Sequence, residues 1–187
     1  MTQAVPSLGK FVLHTFLWLP PCFAAWYLAA PYHAIVAGWP ARILVEQVKP
    51  GIVSAWERSG FDVVFVTTLE VQSAPGQAGV LVPEVNSLLY TYGLAFFLAL
   101  MLATRAPWWK VLAGAALLLP FQAWGIAFDF LAQVGIKLGP EVSMQAGFAA
   151  WQREAIALCY QVGSLILPSL VPVVLWAAFS RELIERA

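Results

Sequence analysis

Two uncharged apolar runs separated by a short basic and aromatic knot constrain this chain more than any other feature. No charged residue occurs from Asn86 to Thr104 or from Val111 to Phe128, and between them lies Arg105-Ala106-Pro107-Trp108-Trp109-Lys110. At about 1.5 Å per helical residue, each run is long enough to cross a bilayer core of about 30 Å. A knot that short leaves room only for a tight turn between antiparallel helices, so the sequence predicts a transmembrane hairpin. Composition agrees: 61% of residues are hydrophobic and 11% charged, against about 25% charged in soluble domains. The formal charge is zero, and no basic cluster or nucleic-acid motif is present, so no nucleic-acid partner is expected.

Before the hairpin, Phe11 to Tyr32 forms another apolar run. It follows Lys10 as a signal peptide would, but its Trp and Phe content and the Pro20-Pro21 break suit a retained, kinked helix better. Prolines inside Leu19-Pro20-Pro21-Cys22 also argue against a lipoprotein box. From His33 to Gly60, Ile35, Trp39 and Ile43 recur at helical spacing, as do Val36, Leu44, Val48, Ile52 and Trp56, with Arg42, Glu46, Gln47 and Lys49 opposite. This amphipathic pattern, broken at Pro50-Gly51, predicts a helix lying in the membrane interface or packed on the bundle, apolar side down, or else a short helix covering a small outer domain. Phe61 to Gln72 switches to period two with many β-branched residues, which predicts a strand. Ser73 to Gln77 reads as a turn and Gly79 to Val82 as a returning strand. Such a hairpin belongs outside the bilayer, because an open sheet edge in lipid leaves backbone groups unpaired.

After the central hairpin, Ile136 to Arg153 reads as a loop with a short amphipathic piece. Ala155 to Ser180 is again uncharged, with Pro168 and Pro172 inside, and a charged tail begins at Arg181. The expected fold class is a mainly α polytopic membrane protein forming a single membrane domain. Four spans are expected, over about 11–32, 86–104, 111–132 and 155–180. An extracytoplasmic cap over 33–85 carries the amphipathic helix and the β-hairpin. Lys10, Arg105, Lys110, Arg181 and Arg186 lie in short flanks, so both termini and the Trp-Trp turn are expected in the cytoplasm.

Polar side chains gather at the expected outer mouth. Gln122, Asp129 and Gln133 share one face of the third span, within about 20° at 100° per residue. Asp129 stands about 28 Å along the helix from Lys110. Glu84, Asn86 and Tyr90 open the second span, Arg153 and Glu154 open the fourth, and His33 closes the first. Ionisable groups near a span's end are functional candidates because hydrocarbon penalises them, and this makes Glu84, Asn86, Tyr90, Gln122, Asp129 and Arg153 the candidate partner- or ligand-binding residues. The plainer reading stands beside it: an Asp129–Arg153 structural bridge, Gln122 as glue between helices, and His14 in packing.

Signals for catalysis are weak. The two histidines form no metal cluster, and there is neither a phosphate-binding glycine loop nor a G-x-S-x-G elbow. Cys22 and Cys159 read as packing residues; a Cys159/His33/Arg153 trio can be assembled only on paper. A non-enzymatic protein without metal or cofactor is therefore expected.

Asn86-Ser87-Leu88-Leu89-Tyr90-Thr91-Tyr92-Gly93, Pro120-Phe121-Gln122-Ala123-Trp124-Gly125 and Phe128-Asp129 resemble segments of the exosortase H-associated membrane proteins, small proteins of bacterial membranes. Phe16-Leu17-Trp18-Leu19-Pro20 and Trp26-Tyr27 are similar as well. The resemblance implies an inner-membrane accessory role beside an exosortase-type enzyme, which processes C-terminal sorting signals of exported proteins. It implies a membrane-protein partner, the enzyme or its substrate, and carries no reaction and no catalytic residues. The alternative is a small oligomeric transporter or channel subunit with a polar path at Gln122 and Asp129.

Overall fold

The computed structural model describes residues 8–74 and 77–180. Pro75 and Gly76 of the turn expected over Ser73 to Gln77, the lead up to Ser7 and the tail from Arg181 lie outside the described residues. The chain opens with α1 (Leu8–Val48), a helix of 41 residues with Pro20, Pro21, Pro31 and Pro40 inside it. The amphipathic stretch expected as a separate helix is thus the continuation of the first apolar run. Its packed face is only in part the expected one, with Leu44 and Val48 packed against the core. Ala34, Ala37, Ala41 and Val45 are fully buried, whereas Ile35, Trp39 and Ile43 are 44%, 61% and 40% exposed. The small side chains win the inner face because they let neighbours approach the helix backbone closely. Gly38 shows this directly, since a Cβ there would sit 2.8 Å from the Trp56 ring.

At Pro50-Gly51 the chain reverses. The Glu46 carboxylate accepts the Gly51 N–H at 2.9 Å and the Val53 N–H at 3.2 Å, tying helix end to strand start. The next element is β1 (Val53–Ser59), a strand where the periodicity suggested a second helical piece. β1 pairs with β2 (Asp62–Thr67) through a tight turn in which Gly60 has φ 60°, and β2 pairs with β5 (Glu84–Asn86), giving an antiparallel sheet in the order β1-β2-β5. Between β2 and β5, β3 (Glu70–Ala74) and β4 (Gln77–Val80) form a second antiparallel pair. β1 runs back along α1: its start lies at Glu46, Trp56 lies on Gly38, and the Phe61 ring just beyond its end is 5.0 Å from Tyr27. Glu46→Ala is expected to cost about 1.5–3 kcal/mol, the range for hydrogen bonds to a charged group. Hydrogen exchange at the Gly51 and Val53 amides should speed up, while exchange in the β3–β4 pair stays unchanged.

The remainder is helical. α2 (Leu88–Thr91) leads into α3 (Gly93–Ala103), and the basic and aromatic knot comes next. There Arg105 adopts a left-handed φ of 52°, the Ala106 N–H bonds the Met101 carbonyl, and the Arg105 N–H bonds the Leu102 carbonyl. This pattern closes a helix C-terminus and frees Pro107 to start the next one. α4 (Trp108–Ala132) returns antiparallel to α3, with Phe97 against Gly114. A π-helical turn, Gln133–Lys137, extends it and is closed by the Leu138 N–H on the Gln133 carbonyl. The expected loop after it holds α5 (Pro140–Ala146), ended by left-handed Gly147. α6 (Ala150–Gln161), a second π turn (Val162–Ile166) and α7 (Leu167–Phe179) complete the described chain.

Two apolar cores stack along the helices. One joins the Ala34–Val45 face of α1 to the sheet, to Ile126, Phe130 and Val134, and to α5. The other gathers Phe97, Met101 and Leu118 at the opposite end, against α7. Three helical stretches, Gly9–Val48, Trp108–Lys137 and Ala150–Phe179, are long and apolar enough to cross a membrane; Leu88–Ala103 is apolar but shorter. The described residues therefore contain three such helices where the sequence suggested four.

Candidate functional site

The face of α4 bearing Gln122, Asp129 and Gln133 meets three different partners. Asp129 is buried and pairs with Lys137, Nζ to Oδ1 2.9 Å. Arg153 was the partner expected from sequence, and the π turn explains the change. Eight residues along a regular α-helix land about 80° away from the start. A π turn bonds i to i+5 and so rotates less per residue, which brings Lys137 back over Asp129. The π turn's own Gly135 carbonyl is capped by the Ser143 hydroxyl at 2.8 Å. The Lys137 ammonium also lies 3.9 Å from the centre of the Tyr160 ring. Tyr90 is buried beside Asp129 and packs on Gly125, where any Cβ would overlap its ring. Tyr90, Asp129, Lys137 and Tyr160 thus form one cluster drawn from α2, α4, its π turn and α6.

Gln122 points elsewhere. Its Oε1 is 2.7 Å from Nε2 of His33, joining α4 to α1. The Gln133 amide donates to the Glu84 carbonyl at 3.0 Å, fastening β5 to the top of α4. The Asn86 Oδ1 accepts the Leu88 N–H at 3.0 Å and starts the descent into α2. Glu84 and Asn86 are exposed on the sheet rim. Arg153 is exposed as well, and with Glu154 it lines an open groove of about 510 Å³ floored by Gly135, Gly139, Ala150 and Ala157.

Of the six residues singled out from sequence, the structure brings Tyr90 and Asp129 together. Gln122 is buried in a separate contact, while Glu84, Asn86 and Arg153 stay on the surface. Lys137 and Tyr160 are the cluster members that sequence reasoning missed. Nothing in a regular helical projection places Lys137 near Asp129. The paper trio around Cys159 does not use His33, which is engaged by Gln122, and the Cys159 carbonyl accepts the Trp124 indole N–H at 3.1 Å.

Long apolar helices with lipid-suited exposed side chains, joined to a small sheet, define the class as a membrane protein. Within that class the chain belongs to the exosortase H-associated membrane proteins, whose family model matches residues 5–183. No curated protein and no solved structure matches it significantly.

Proposed function

We propose that the protein is a non-enzymatic accessory subunit of a protein-sorting system, engaging an exosortase-type enzyme or that enzyme's substrate through its sheet-bearing end. The observation that carries this reading is how the polar groups are used. Asp129 pairs with Lys137, Gln133 with Glu84 and Gln122 with His33. These contacts hold α4 and its neighbours in place, while Arg153 faces outward in the groove and Glu84 and Asn86 are exposed on the sheet rim. A transporter or channel subunit with a polar path at Gln122 and Asp129 draws less support, because the Asp129 carboxylate is paired with Lys137 and the Gln122 Oε1 with His33.

In this reading Leu88–Ala103 is a fourth, short span in a single membrane domain. It supports that role by packing Phe97, Leu100 and Met101 inside the bundle. Both termini and the Arg105 turn lie in the cytoplasm of a bacterial inner membrane, and the sheet lies outside. Purification from native membranes in mild detergent tests the partner directly. An exosortase-type protein should co-purify, and Arg153→Glu should lower its yield about tenfold, the effect of losing about 1.4 kcal/mol of contact. Recovery of the protein free of any such partner, with wild type and variant alike, would contradict the reading.

A further inference from the structure

We propose that one ordered water molecule is bound between α3, α4 and α7, where it bridges the Gln122 amide to the Pro168 carbonyl. Gln122 is 3% exposed, and its Nε2 has no hydrogen-bond partner among the described residues. Its other amide atom is held by His33 at 2.7 Å. Turning the amide over would exchange the two atoms and still leave one polar atom facing away from His33. On α7, Pro172 has no N–H to offer the carbonyl four residues before it, which is that of Pro168. That carbonyl is aimed at α3, directly at Gly93, where a Cβ would overlap it. Gln122 and Pro168 both line a small cavity, with Tyr90, Gly93, Leu118 and Pro172 among its other walls, that leaves about 10 Å³ for the centre of a water-sized sphere. Room for about one such sphere, together with polar partners, is what a buried water needs; a purely apolar cavity of that size stays dry.

Position makes the site consequential. Gln122 lies about 18 Å along α4 from Lys110, near the middle of a bilayer core of about 30 Å. A stranded amide or carbonyl there has no solvent to turn to. The bridge completes a chain from His33 on α1, through Gln122 on α4, to Pro168 on α7. Pro168 comes two residues after the π turn, in the first turn of α7, so the water ties the start of α7 to the other two helices.

The test is an experimental structure of the full chain in lipid nanodiscs at a resolution that shows ordered water. A peak at hydrogen-bond distance, about 2.7–3.2 Å, from both Gln122 Nε2 and the Pro168 oxygen is expected. The peak should vanish in Gln122→Met, which keeps the volume and removes the amide. No peak in the wild-type map, a Gln122 amide nitrogen bonded to a protein group, or a peak that persists in Gln122→Met would each overturn the proposal. If the variant does not fold, the wild-type map decides alone.

Discussion

Gly125→Leu is expected to abolish the monodisperse, folded protein. Gly125 is enclosed on two sides. A Cβ would enter the Tyr90 ring, and the Gly163 position lies so close that a Cβ on Gly163 would be 3.1 Å from the Gly125 Cα. One side belongs to α2 and the other to the second π turn, so neither neighbour can yield without opening the cluster around Asp129. Overpacking a tight core costs about 1–3 kcal/mol and sometimes more. Four added heavy atoms against the Tyr90 ring and the Gly163 backbone at once belong at the top of that range. Thermal unfolding and size-exclusion chromatography in detergent should show aggregation or a collapse in melting temperature. Gly9→Ala is the matched control, because nothing lies within 4 Å of its added Cβ. That change should be neutral or stabilising by about 0.5–1 kcal/mol, the usual gain of Ala over Gly within a helix. Equal behaviour of the two variants would count against close packing of the helices around Gly125.

The second large effect is asymmetric. Lys137→Met should destabilise by about 3 kcal/mol, the lower end for breaking a buried ion pair. It strands an Asp129 side chain that is only 10% exposed. Asp129→Asn should cost less, about 1–2 kcal/mol. The Lys137 side chain is 42% exposed, so its ammonium can turn to water and the Tyr160 ring. The double variant Asp129→Asn/Lys137→Met should recover part of the Lys137→Met loss, because no carboxylate is left unpaired. A cycle of chemical-denaturation measurements on the four proteins gives the coupling. Additive losses would show that the two side chains do not interact.

The helical hairpin was legible in the sequence because it depends on one variable, the length of an uncharged run, and on the chemistry of a single turn. The period-two stretch was legible as strand from its alternation, but the single strand read over Phe61 to Gln72 is two, β2 and β3, in separate sheets. What misled lay in the first half. Ile35, Trp39 and Ile43 form the louder apolar stripe on α1, yet the helix packs through Ala34, Ala37 and Ala41. A hydropathy pattern registers how apolar a face is, and close helix packing depends instead on how small it is. Residues after Pro50-Gly51 kept a helix-like spacing, but Trp56 is apolar because it covers Gly38 from a strand. At the site, Asp129 and Tyr90 stood out as polar groups in apolar runs. Lys137 did not, since its approach depends on a π turn that a regular period of 3.6 cannot represent. Tyr160 was hidden inside the last apolar run, where an aromatic residue carries no signal of its own.

Side-specific labelling of single cysteines tests the central claim most directly. With Cys22 and Cys159 replaced by Ala, Glu57→Cys on the exposed strand β1 and Arg105→Cys in the helical turn would each be treated with a membrane-impermeant maleimide. In intact cells with a permeabilised outer envelope, the account predicts labelling at position 57, and at position 105 only after the inner membrane is opened. Labelling at 105 but not at 57 in the intact cells, or equal labelling of both from one side, would contradict it.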